Sequence, residues 1–87
     1  MSVRIELYEG ARQLAGIDAL DVEARTLGDA LQALALAHPA LAGRVVDGDR
    51  LATHWRANRN GDAFVDDPDA PLTDGDTLLI VSALAGG

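Results

Sequence analysis

Two glycines, Gly86 and Gly87, follow an apolar run, Leu78-Leu79-Ile80-Val81-Ser82-Ala83-Leu84-Ala85, that is expected to form a last strand. With Gly87 as the final residue, the group placed for chemistry is its own α-carboxylate. An ordinary α-carboxyl titrates near about 3.5, so this one is expected to be ionised at neutral pH. Its charge makes it a poor electrophile but leaves it able to attack phosphorus. Residues without a Cβ let an extended Leu84-Ala85-Gly86-Gly87 segment thread a narrow slot. Four extended residues reach roughly 14 Å, enough to leave one domain and enter another protein's pocket. Residues 84–87 are therefore expected to be a flexible tail on a single domain covering residues 1–87. The other reading is a frayed end with no role, as for many short Gly-containing termini.

Other residue types narrow the chemistry. The chain has no cysteine, which removes disulfides, thiolate metal sites and thiol nucleophiles together. Asp62, Asp66, Asp67 and Asp69, with Asn58-Arg59-Asn60-Gly61, resemble part of a calcium loop. In that register Arg56 takes the first ligand position and Asp67 the twelfth, where glutamate is needed, so no metal site is expected. His38, next to Pro39, falls at the end of a helical pattern, where histidine ordinarily serves the last carbonyls.

Fourteen acidic residues against seven arginines, with no lysine, give a formal charge of −7. Such a field repels phosphate backbones and argues against nucleic acid. Its natural complement is a basic surface on a partner protein. Without lysine the chain offers no ε-amine, so it cannot form lysine-linked chains of itself. No basic and apolar leader is present, and no apolar run approaches the roughly 18 residues that span a bilayer, so no membrane association and a cytoplasmic location are expected.

The elements that must position the tail follow from periodicity. Val3, Ile5 and Leu7 alternate with Arg4, Glu6 and Tyr8, a half-buried strand over residues 3–8. Residues 9–16, with two glycines, read as a loop, and Leu20, Val22 and Ala24 alternate as a second strand antiparallel to the first. Thr26 is a helix N-cap with Asp29 three positions on, and Leu27, Ala30, Leu31, Leu34 and Ala35 form one apolar stripe ending before Pro39. Residues 43–53 read as mostly irregular. Trp55–Arg59 and Ala63–Val65 flank Asn60-Gly61, a hairpin signal, with Arg59 and Asp62 as an opposed charge pair. Pro68, Pro71 and Asp74-Gly75-Asp76 mark turns before the last strand. That strand is apolar on both faces, as in a central strand. One helix covers one face, which leaves the other for a partner or for residues 43–54.

The order strand, strand, helix, hairpin, turn, strand resembles that of the ubiquitin-like sulfur carriers, among them the molybdopterin synthase small subunit and the thiamine-biosynthesis carrier. The motifs that carry the resemblance are Asn60-Gly61 with its acidic segment, Leu72-Thr73-Asp74-Gly75-Asp76, the apolar strand and Ala85-Gly86-Gly87. They span residues 55–87, and the order of elements extends the match over nearly all the chain. The resemblance implies an α+β, β-grasp fold, a mixed sheet of about four to five strands with one main helix on one face. It implies that an E1-like adenylyltransferase and sulfurtransferase uses ATP and Mg²⁺ to adenylate Gly87, which a sulfur donor then converts to a thiocarboxylate. The chain would bind no cofactor and supply no catalytic side chain, acting as a co-substrate. Length favours the molybdopterin synthase small subunit, whose tail enters the large subunit. Carriers for thiamine, cysteine or sulfur-containing metabolites share the ending, and so do modifiers joined to target lysines. The expected docking surface is Leu78, Ile80, Leu84, Ala85 and Gly86, with Trp55 or Phe64 as anchors, core membership being the other reading of both aromatics.

Overall fold

Alternation of Val3, Ile5 and Leu7 with polar residues produces β1 (Ser2–Leu7), with its apolar side fully buried. The structure is a computed structural model that describes residues 1–83. β1 pairs antiparallel with β2 (Ala19–Glu23), Ile5 facing Leu20 and Val3 facing Val22.

The connection between them is a helix, α1 (Glu9–Ala15), and not the expected loop. Its two glycines, which look like loop residues, have helical uses. Gly16, at φ 76°, is the left-handed C-cap, and its N–H donates to the Arg12 carbonyl at 2.8 Å. Gly10 lies against Trp55, whose ring edge would sit 3.4 Å from an added Cβ.

α2 (Leu27–Ala37) starts and stops where its caps predict. Thr26 Oγ1 accepts the Asp29 N–H at 3.1 Å, and the Asp29 carboxylate accepts the N–H of Arg25, one residue before the cap. Leu27, Ala30, Leu31 and Leu34 are buried. His38 serves as C-cap through its backbone N–H, bonded to the Leu34 carbonyl at 2.9 Å. A 3₁₀ turn follows at Pro39–Leu41.

Residues read as irregular hold a small two-stranded ribbon, β3 (Val46–Asp47) and β4 (Arg50–Leu51). Two-residue strands are too short for alternation to show. Leu41, Val45 and Val46 enter the same buried cluster as α2 and the sheet, so this segment thickens the helical layer and leaves the far side of the sheet uncovered.

β5 (Trp55–Arg59) and β6 (Ala63–Val65) form the hairpin read from Asn60-Gly61. Arg59 faces Ala63 across the ladder, not Asp62, and its guanidinium donates to the Pro71 carbonyl at 3.1 Å. β7 (Thr77–Ser82) is central, parallel to β1 and antiparallel to β5, in a mixed sheet of order β2-β1-β7-β5-β6. The architecture is a β-grasp with two α-helices, one more than expected. Among the described residues no helix is long and apolar enough to cross a membrane.

Candidate functional site: the open sheet face and the root of the tail

The final strand carries two kinds of side chain, and its register decides which does what. Leu78 pairs with Ile5 and Ile80 with Leu7, on the side under the helices. Both are fully buried. They cannot form the docking surface expected of them, because no atom of either reaches a partner. Leu79 and Val81 point the other way and are half-buried. Leu79 lies between Glu6 and Asn58, and Val81 beside Arg56.

Phe64 faces Asn58 and therefore lies on that same open side. It is 54% exposed, which overturns its reading as a core residue. The Arg56 guanidinium carbon stands 4.5 Å from the centre of its ring, within cation–π range. Phe64 on β6 and Leu79 and Val81 on β7 thus share this open face, on either side of Asn58 and Arg56 of β5, with Arg56 against the Phe64 ring. At the β1 side Glu6 accepts from Tyr8 Oη at 2.6 Å and from Arg4 Nε at 3.1 Å. The Tyr8 hydroxyl first, then Arg4, holds the Glu6 carboxyl below its ordinary range, while the same bond raises the Tyr8 phenol.

The tail departs from the end of β7. Trp55 pairs with Ser82, and the Ala83 N–H donates to the His54 carbonyl at 2.7 Å. His54 adopts φ 78°, a left-handed conformation uncommon for a residue with a Cβ. Leu84, Ala85, Gly86 and Gly87, the remaining expected site residues, lie outside the described residues. Trp55 is half-buried and packs against the core. With Arg50, His54, Arg56 and Ala83 it also lines a cavity of about 470 Å³ at the root of the tail.

One further feature holds β7 in place, and another holds α2. Asn60, at φ 58°, accepts the Thr77 N–H on Oδ1 at 2.8 Å and donates from Nδ2 to Asp76 at 3.0 Å. Asp76 also accepts the Thr73 N–H at 2.8 Å. Asn60 first, then Thr73, keeps the Asp76 carboxyl below its ordinary range. This clamp ties the hairpin turn to the turn that launches β7. The acidic segment after β6 works through its backbone: the Pro68 and Ala70 carbonyls accept the N–H groups of Gly28 and Leu27, both in the first turn of α2. Among the described residues no three His, Asp or Glu side chains gather in a way that could hold an ion.

Leu79, Val81, Arg56 and His54 were not among the residues expected at the site. Strict alternation in β7 separates Leu79 and Val81 from Leu78 and Ile80, but only pairing with β1 says which set faces the helices. No local signal marks Arg56 or His54.

Solved structures with the same architecture are readily found. SAMP1 from Haloferax volcanii, a small archaeal modifier protein, superposes with a TM-score of 0.83 at 34% identity, all of each chain being covered. The Amycolatopsis orientalis BexX/CysO complex contains a chain that matches with a TM-score of 0.81 at 25% identity, covering 98% of this chain and 99% of the other. A putative molybdopterin converting factor subunit 1 from Pyrococcus furiosus, at 23% identity, TM-score 0.77 and coverage of 94% and 97%, shares the fold. No curated protein gives a significant sequence match. The ThiS family model matches residues 5–87, from the middle of β1 through both terminal glycines, and the chain therefore belongs to the ThiS family of ubiquitin-like sulfur carriers.

Proposed function

We propose that this chain carries sulfur as a thiocarboxylate on Gly87. The observation that carries the reading is the family match through Gly87, on a sheet whose central strand leads directly into the last four residues. In the proposed cycle a Gly87 carboxylate oxygen attacks the α-phosphorus of ATP, held with Mg²⁺ by an E1-like activating enzyme, and pyrophosphate leaves. A sulfide-level donor then attacks the acyl carbon, AMP departs, and the thiocarboxylate is left on Gly87. The catalytic groups belong to the enzymes, and the carrier contributes a side-chain-free tail and a face to dock. That face is the open side of the sheet, with Leu79, Val81 and Phe64 as its apolar residues. Among acceptors, the molybdopterin synthase large subunit is the first to examine, and carriers for thiamine, cysteine or sulfur-containing metabolites would use the same tail.

Intact mass measured after incubation with an activating enzyme, ATP and a sulfur donor tests the proposal. Replacement of one oxygen by sulfur is expected, and deletion of Gly87 should abolish it while leaving the thermal midpoint nearly unchanged. No ATP-dependent change in the full chain would sink it. A second reading, a modifier joined to target lysines, is favoured by the 34% identity to SAMP1. The same incubation with target proteins present separates the two, because a modifier leaves adducts on their lysines.

A further inference from the structure

The middle of the open face holds a polar atom that the fold leaves unpaired. Among the described residues, Asn58 Oδ1 is the one buried side-chain oxygen or nitrogen that makes no hydrogen bond. β5 sets Asn58 between Phe64 on β6 and Leu79 on β7, so the orphaned acceptor sits among the apolar residues of this side. Neighbouring polar groups are engaged with one another. Glu6, across Leu79, accepts from Tyr8 and Arg4, and Asn60 is bonded to Thr77 and Asp76. Folded chains seldom keep a buried acceptor without a donor, because it has given up water and received nothing in return. Leucine fills a similar volume without that cost, so folding alone gives no reason for an amide here.

Docking changes the balance. An exposed acceptor exchanges a bond to water for a bond to the partner and gains little, whereas Oδ1 has no bond to surrender and a donor brought onto it gains the whole interaction. Its outer neighbours can move. Phe64 and the Arg56 guanidinium resting on it are both exposed, and shifting them disturbs none of the side chains buried under the helices. Arg56 stands two residues away on the same face, where a cationic donor would meet like charge, so a neutral N–H or O–H group fits best. Resting on the carrier reading above, we propose that Asn58 is a specificity-determining residue of the docking face: Oδ1 accepts a hydrogen bond from a neutral donor of the activating enzyme once docking displaces the Phe64–Arg56 pair. β5 runs beside β7 as far as Ser82, so a partner fastened at Asn58 is also set in register with the strand that leads into residues 84–87.

Pyrophosphate exchange with ATP and a purified E1-like activating enzyme tests this, with the full-length carrier as the varied substrate and the thermal midpoint of each variant measured alongside. Asn58→Leu is expected to raise KM about tenfold with kcat within about twofold, while its midpoint stays at or above that of the wild type. The rise in KM should be the same at about 0.05 M and about 0.3 M salt, as for a bond between neutral groups. Asn58→Asp keeps an acceptor and loses the amide donors, so its KM should stay within about threefold of the wild type. Asn58→Ala removes the same acceptor and serves if the leucine variant fails to fold. An unchanged KM for Asn58→Leu, a midpoint that falls as KM rises, or an aspartate variant as impaired as the leucine one would overturn the assignment of Asn58 and leave the carrier reading intact. Absence of any exchange with the wild-type chain overturns both.

Discussion

Asn60 does three jobs with one side chain and one unusual backbone angle. Its φ of 58° makes the hairpin turn, its Oδ1 accepts the Thr77 N–H, and its Nδ2 reaches Asp76. Asn60→Ala keeps none of these well, so a loss of about 1–3 kcal/mol is expected from chemical denaturation. The pH dependence should change with it. Asp76 has a lowered carboxyl pKa in the folded chain, so its stabilisation is fully present above the ordinary carboxylate range and disappears as pH falls through the lowered value. Without Asn60 that pKa should rise towards normal, and stability curves on the acid side of about pH 4 should flatten. Carboxyl NMR titration of Asp76 checks the first point and denaturant melts at several pH values the second. Gly28 offers a second test at this scale. An added Cβ would lie 3.1 Å from the Pro68 carbonyl oxygen and 3.3 Å from Asp49 Cβ, so Gly28→Ala should destabilise by roughly 1 kcal/mol despite the better helix propensity of alanine.

α2 is the element on which the sheet depends for cover, and its first turn is satisfied from two directions. Thr26 supplies a local cap, while the Pro68 and Ala70 carbonyls come from a segment some forty residues away in sequence. Thr26→Ala should cost about 1 kcal/mol, read as a fall in the thermal midpoint, and not more, because the other donors keep their partners. The helix was legible in sequence because cap, stripe and Pro39 are all local. α1 was not, since seven residues give two turns and its glycines mimic a loop. Only the Trp55 ring beside Gly10 and the left-handed angle at Gly16 show why they belong to a helix.

For the molecule as a whole, the proposed carrier role would divide the two sides of β7 between stability and recognition. Leu78→Ala empties part of a fully buried site and should cost about 2–5 kcal/mol. Leu79→Ser, one residue on, should cost about 1 kcal/mol or less while weakening association with the activating enzyme several-fold in a binding titration. The reverse pattern would show that the open face is not where partners dock.

Sequence alone determined the strand and helix periods, the Asn60-Gly61 hairpin, the central character of the last strand and the Gly-Gly ending, because each is written in neighbouring residues. Tertiary structure decided which apolar set of β7 is core and which is surface. That choice depends on pairing with β1, more than seventy residues away, and a strand with both faces apolar contains no internal sign of it. It also decided that Phe64 stands in solvent, that the acidic segment caps a helix, and that Arg56 rests on the Phe64 ring. Each of these is a long-range contact, and local periodicity carries no information about such contacts.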